Sequence, residues 1–249
     1  MWLGRLRRWR SRLAVVARPQ PEQHPPPVQR LRVRYAKRGR ARFTSHRDFG
    51  RAFERALRRA GVPMAYSSGY SPHPRISYAN AAPTGAASEA EYLEIGLAAP
   101  CDPAQVQAAL DAALPPGLDI VEVVTAPPGA LADQLTGSRW QVALVGVGPA
   151  NRRAAVDRFL LQHEVQVARM TKNGLRTFDA RDAVVGLEVT EDGLLVTLAH
   201  GEPLVRPDDV LAALATVWLD FAPTEVPVLT RISQGRLDRE SGNIEEPGS

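Results

Sequence analysis

Between Val28 and Arg75 the chain carries 13 basic residues and two acids, Asp48 and Glu54. Five of the arginines, Arg47, Arg51, Arg55, Arg58 and Arg59, share one face if residues 46–60 form a helix. Glu54, at i,i+4 from Arg58, is their one clear partner. Like charges at this spacing cost roughly a few tenths of a kcal/mol per pair, so the row Arg47–Arg51–Arg55 gives up a little stability for positive charge. Arg30, Arg32, Arg34, Lys37, Arg38, Arg40 and Arg42 stand just before it. A positive groove for a phosphate backbone accounts for this economically, because each contact releases counterions and yields salt-dependent affinity. RNA is the expected ligand, with Arg42, Ser45, His46, Arg47, Arg51 and Arg55 among its contacts.

A second segment, Tyr66 to Arg75 (YSSGYSPHPR), follows the helix. Tyr66 and Tyr70 offer rings on which bases stack, Ser67 and the amides near Gly69 suit a phosphate or a small polar ligand, and two prolines stiffen the loop. His73 and Arg75 complete the expected binding set. His46 and His73 make an acid/base pair on RNA only if the fold brings them together; no other catalytic residue is expected. In the second half, Lys172 reads as part of a hairpin turn, and Asp179 with Arg181 as a structural Asp–Arg pair. Glu89 and Glu91 are expected to pair with arginines inside the fold. His24, His163 and His200 are isolated in sequence. No Gly-rich phosphate loop, nucleophile elbow or metal-binding His motif is present.

The net charge of +4 hides a segregation of sign. Residues 1–80 hold 19 Lys/Arg against three acids, and residues 81–249 hold 12 against 24. Such asymmetry speaks to partners rather than to fold. One cysteine, Cys101, excludes a disulfide framework and a self-contained thiolate cluster for zinc or iron–sulfur. No apolar run approaches the roughly 18–20 residues that span a bilayer, and a cytoplasmic location is expected.

These side chains need a scaffold. Val28–Arg34 alternates as a half-buried strand, which Ala41–Thr44 continues or bulges. Ser45 caps a helix whose apolar positions Phe49, Ala52, Phe53, Ala56, Leu57 and Ala60 form one stripe, closed by Gly61. Strands at Arg75–Asn80 and Glu91–Ala98, a helix from Pro103 to Leu114 and a strand at Leu118–Thr125 complete a β-α-β-β-α-β order. The second half repeats it. Its strands are Trp140–Val145, Val184–Val189, Leu194–Ala199 and Val226–Ser233, its helices Ala150–His163 and Pro207–Trp218, and Val165–Met170 is one extra strand. The expected fold is α+β: two ferredoxin-like halves in tandem, residues 28–130 and 138–236, with antiparallel sheets and helices on one face. Residues 1–27 read as a basic, Pro-rich disordered extension, or in their first part as an amphipathic surface helix with Trp2, Leu3, Leu6 and Trp9 apolar. The run Leu13–Ala17 is too short for a signal-peptide core. Residues 237–249 read as a disordered tail.

Phe43-Thr44-Ser45-His46 with Asp48 and Arg51, the run Arg55–Gly61, Ala65-Tyr66-Ser67 with Gly69, Pro72-His73-Pro74, and Ser88 with Glu91-Tyr92 together resemble the radical-SAM-linked protein family of bacteria. The likeness spans about Val28 to Arg236 and is strongest over Phe43–Tyr92; Lys172, Gly174, Asp179 and Arg181 fit its weaker second-half pattern. Ser71 stands where Asn is usual and Tyr70 where Phe is common. The resemblance implies a partner, a radical SAM enzyme that carries the iron–sulfur cluster and S-adenosylmethionine, with no cofactor in this chain. It supplies no reaction. Charge and resemblance together point to a non-catalytic accessory or substrate-recognition subunit that presents tRNA or rRNA for modification. Two alternatives stand beside it: a metal-free RNA-processing endonuclease of tandem ferredoxin-like architecture, and a small-ligand-binding regulator of the radical SAM partner.

Overall fold

A computed structural model of the chain describes residues 23–171 and 174–248, so the expectations for residues 1–22 and Lys172 lie outside the described residues. The alternating strand β1 (Gln29–Lys37) buries Leu31, Val33 and Tyr35 on one face and turns Arg30, Arg32 and Arg34 to the other. Gly39, at φ +52°, then breaks the extended run, and Gly39–Phe43 closes into a 3-10 turn rather than a continuation of the strand. Helix α1 (His46–Arg59) begins where expected. Its buried stripe of Phe49, Phe53, Ala56 and Leu57 packs on β1, β3 (Ala87–Leu97), α2 (Pro103–Ala113) and β4 (Leu118–Thr125). Between α1 and β3 comes the short strand β2 (Ile76–Ala79).

The second half runs β5 (Gly137–Ala143), α3 (Pro149–Leu160), β6 (Gln166–Thr171), β7 (Gly174–Asp179), β8 (Val184–Val189), β9 (Gly193–Ala199), α4 (Pro207–Val217) and β10 (Val228–Leu237). Its core gathers Trp140, Val142, Phe159, Val196, Leu214 and Phe221 between sheet and helices. Here the single extra strand of the sequence reading becomes a two-stranded hairpin, β6–β7, off the main sheet. The missed strand β7 (GLRTFD) buries only Phe178, so its alternation is faint.

The result is a mixed α/β protein with one large, antiparallel-dominated sheet of nine strands and four helices among the described residues. The path is β4-β1-β3-β10-β5-β9-β8, with β2 beside β3 and β11 (Ile244–Glu245) beside β10. Separate sheets for the two halves are not found, because the last strand, β10, pairs with β5 on one edge and in parallel with β3 on the other. That parallel ladder is short, Thr230 with Ala87 and Arg231 with Ser88.

Residues 238–248 are not a loose tail. Asp238 and Ser241 close a turn, β11 lies on Arg236 and Leu237, and Glu246 pairs with Arg34 of β1. The approach is close: a Cβ on Gly235 would sit 1.9 Å from the Glu245 carbonyl oxygen. Two residues of strand leave no periodicity to read, which is why the segment looked structureless. No helix of the described residues is long and apolar enough to cross a membrane.

Candidate functional site

Ser45 caps α1, its hydroxyl oxygen accepting the Asp48 N–H at 3.2 Å. With Phe49, Phe53 and Leu57 held in the core, the opposite face must carry Arg47, Arg51, Arg55, Arg58 and Arg59, and all five are exposed. Steps of four residues advance about 6 Å along a helix, so Arg47, Arg51, Arg55 and Arg59 form a slightly inclined row about 18 Å long. Arg58 reaches Glu54 at 3.9 Å. Among the described residues no hydrogen bond or ion pair holds the guanidinium of Arg47, Arg51, Arg55 or Arg59.

The strand cations behave differently. Arg32, buried, places two guanidinium nitrogens on Glu94, one at 2.8 Å, and a third on Gln134 at 2.8 Å. Arg30 also pairs with Glu94, and Arg34 with Glu246. Arg38 meets Glu89 at 2.8 Å and Asp119 at 2.9 Å. Lys37 is buried near Glu91 and Arg231, where loss of water pulls its pKa down and Glu91 opposes. The continuous positive groove expected from residues 30–59 is therefore broken: β1 sends its arginines away from α1, into contact with carboxylates. What stays free is the helix row.

The loop after α1 is a narrow hairpin. Tyr66 bridges Pro74, the Arg75 N–H donates to the Ala65 carbonyl, and Ser67 binds the His73 backbone twice, through its own N–H and through its hydroxyl oxygen. Gly69 sits at φ +128°, and Arg75 Nε donates to the Tyr66 carbonyl at 3.1 Å. Ser67 and Arg75 thus hold the loop, while the Tyr66 ring lies near His24 and Tyr70 is 70% exposed. His46 does not meet His73. Its ring stands edge-on to Tyr78 of β2, 4.8 Å between centroids, whereas His73 precedes the other end of that strand. Five extended residues separate positions 73 and 78, about 16 Å. The two histidines therefore lie toward opposite ends of β2 and make no acid/base pair.

Asp179 and Arg181 also depart from expectation. The Asp179 carboxylate accepts the N–H groups of Val165, Arg181 and Asp182, and the Arg181 guanidinium donates to the Val184 and Leu160 carbonyls. Each supports the base of the hairpin, without an ion pair between them.

A polar cluster between the halves was not legible in the sequence beyond the pairing expected for Glu91. Arg231, 3% exposed, pairs with Glu91, 1% exposed, and also donates to the Asn80 carbonyl and Gln234. Its guanidinium carbon lies 5.3 Å from the Trp140 ring centroid. Glu91 also accepts the Ala82 N–H. Beside this pair, Trp140 Nε1 donates to Ser138 Oγ at 2.8 Å, and Ser138 lies 2.9 Å from His200 Nε2. His200 Nδ1 lies 2.6 Å from the Leu135 carbonyl, which only a protonated Nδ1 satisfies, so the Ser138 hydroxyl donates to Nε2. Far from isolated, the ring has its pKa lowered by burial and by Arg231, against the Leu135 hydrogen bond.

The folded His200 ring resists protonation, while the unfolded ring takes a proton near the ordinary value of 6.5. Stability from this group is therefore intact above about pH 6.5 and is lost as pH falls below it. Urea titrations from pH 7.5 to 5.5 should show that decline, and His200→Gln should flatten it. An equal slope in the variant would refute the assignment.

No group of three or more His, Cys, Asp or Glu side chains suited to a metal ion occurs among the described residues. The model of a bacterial family described as an uncharacterized protein conserved in bacteria (DUF2344) matches residues 30–207. The match takes in α1, the Tyr66–Arg75 loop, Glu91 and His200, and ends before Arg231. No curated protein matches the chain.

Proposed function

The chain belongs to the DUF2344 family of proteins conserved in bacteria, and from that premise we propose that it is an RNA-binding accessory subunit, non-catalytic by itself, working in the cytoplasm. The observation that carries the reading is the row Arg47–Arg51–Arg55 on the outer face of α1, without carboxylate partners among the described residues. In an ordinary solvated helix such charges are interleaved with acids. Phosphates supply the missing counter-charge, and Tyr66 and Tyr70 stand beyond one end of the row to stack on bases. The catalytic partner, a radical SAM enzyme bearing the iron–sulfur cluster and S-adenosylmethionine, enters from the resemblance of residues 43–92 to the radical-SAM-linked family. Each half is read as ferredoxin-like: β4-β1-β3-β2 and β10-β5-β9-β8 both put the strands of their unit in the order fourth, first, third, second.

The test is binding of single-stranded RNA by the intact chain at several salt concentrations, with the variant Arg47→Glu/Arg51→Glu/Arg55→Glu beside it. The variant should bind at least ten-fold more weakly at about 50 mM salt, and its log–log salt slope should shrink by about 2, since each lost contact removes about 0.7. In extract, the tagged chain under ultraviolet crosslinking should recover one class of RNA together with a radical SAM protein. Recovery of a protein partner without RNA, unchanged by the triple substitution, would overturn the RNA reading.

A further inference from the structure

A crevice of about 380 Å³ lies where the 3-10 turn of the first half faces α4 and the start of β10 in the second. Its walls are largely apolar, with Pro83, Ala86, Val228 and Leu229 among them. Phe43 stands at this crevice, 60% exposed, with the Arg42 guanidinium 4.7 Å from its ring centroid. The cation lies over the ring, while most of the residue stays exposed. Arg42 Nε is shielded from solvent and has no hydrogen-bond partner. An N–H left unpaired in this way is costly. Asp208, in the first turn of α4, also lines the crevice and supplies a carboxylate. Loss of water raises its pKa, while Arg206 and Arg169 oppose the rise.

These features resemble the parts of a base pocket: an exposed aromatic ring, apolar walls of the right volume, and one carboxylate. Three residues on from Phe43 begins the helix that carries the arginine row. We propose that this crevice receives one guanine base of a single-stranded RNA whose phosphates lie on α1, stacked on Phe43 and read by Asp208. Among the four bases, guanine alone presents two adjacent N–H donors, N1–H and the N2 amino group, to a carboxylate. Adenine sets an acceptor beside its amino group, cytosine does likewise, and uracil has a single N–H between two carbonyls. The inference rests on the RNA reading above.

The experiment measures affinity of the full chain for a U-rich nine-nucleotide RNA with one central guanine, and for the same RNA with adenine there. Wild type should prefer guanine by roughly ten-fold. Phe43→Ala should weaken the guanine RNA by roughly five- to hundred-fold with the salt slope unchanged, and Asp208→Asn should erase the preference while the fold, followed by thermal melting, is retained. A central 6-thioguanosine should crosslink within residues 42–43, 83–86 or 226–229. If wild type binds both RNAs equally and Phe43→Ala changes nothing, the pocket is overturned while the arginine row stands. If wild type binds no RNA at low salt, both readings fall. If guanosine monophosphate binds with the same Phe43 dependence and RNA does not displace it, the occupant is a free nucleotide and the RNA source is overturned.

Discussion

Glu91→Ala should lower the unfolding free energy by about 3–5 kcal/mol, the usual cost of removing one partner from a buried ion pair. Both side chains of the Glu91–Arg231 pair are almost wholly buried. Without the carboxylate, Arg231 keeps its bonds to the Asn80 carbonyl and Gln234 but loses its counter-charge. The Ala82 N–H loses its acceptor, and Lys37 loses the one nearby group that favours its charged form. The consequence reaches beyond the pair, because the backbone ladder between β3 and β10 is only two residue pairs long and side-chain bonds, such as Gln234 Nε2 to the Ala90 carbonyl, carry the rest of the seam. Glu91 thus fastens one half to the other across a seam whose backbone ladder is short. Urea unfolding tests this directly. Of the four tryptophans, Trp140 and Trp218 lie in the second half, and Trp2 and Trp9 precede the first strand. In a Trp2→Phe/Trp9→Phe background, fluorescence reports the second half, while circular dichroism reports both. In the wild type the two transitions should coincide; in Glu91→Ala they should separate as well as fall. A variant that loses less than about 1 kcal/mol, with coincident transitions, would show that the pair does not clamp the halves.

The same seam explains what was legible in the sequence and what was not. Helix α1 was readable because its whole signal is local: Ser45 at the cap, an apolar stripe at helical spacing, and an arginine face with only Asp48 and Glu54 as acids nearby. The strand arginines looked equivalent to the helix arginines because a one-dimensional charge count does not say which face of a sheet a residue takes. Alternation along β1 does say it, once the register is known: Leu31, Val33 and Tyr35 inward to the helices means Arg30, Arg32 and Arg34 away from them. Their partners lie 64 positions on at Glu94 and 212 on at Glu246. Arg231 and Glu91 are 140 apart, and His200 meets Leu135 and Ser138 only because β9 pairs with β5. Contacts made by strand pairing leave no local spacing to read. The arginines of α1 gain significance from this correction, since those of β1 already have their carboxylates.

Phe49→Ala should cost about 3–5 kcal/mol, the typical loss for emptying a buried aromatic site. Phe49 is buried and lies against three other rings. It stacks on Tyr35 at 4.2 Å and on Phe53 at 5.6 Å, and meets Tyr78 edge-on at 6.2 Å. Such contacts add about 0.5–1.5 kcal/mol per pair beyond area burial, not additively. The cavity would open under the first half of α1, between the helix and the strands that support it, so the cap at Ser45 and the position of Arg47 loosen with it. Phe49→Leu refills much of the volume and should recover more than half of the loss. RNA affinity separates scaffold from contact. Well below the melting temperature, Phe49→Ala should weaken binding only a few-fold with the salt slope nearly unchanged, because the arginines remain and only their preorganisation is lost. The triple arginine reversal should do the opposite, cutting the slope by about 2 while moving the melting temperature little, because three acids at the same spacing repel one another as the three arginines do. If Phe49→Ala reduced the salt slope as strongly as the reversal did, α1 would be acting through the fold and not through its charge, and the arginine row would lose its place as the ligand surface.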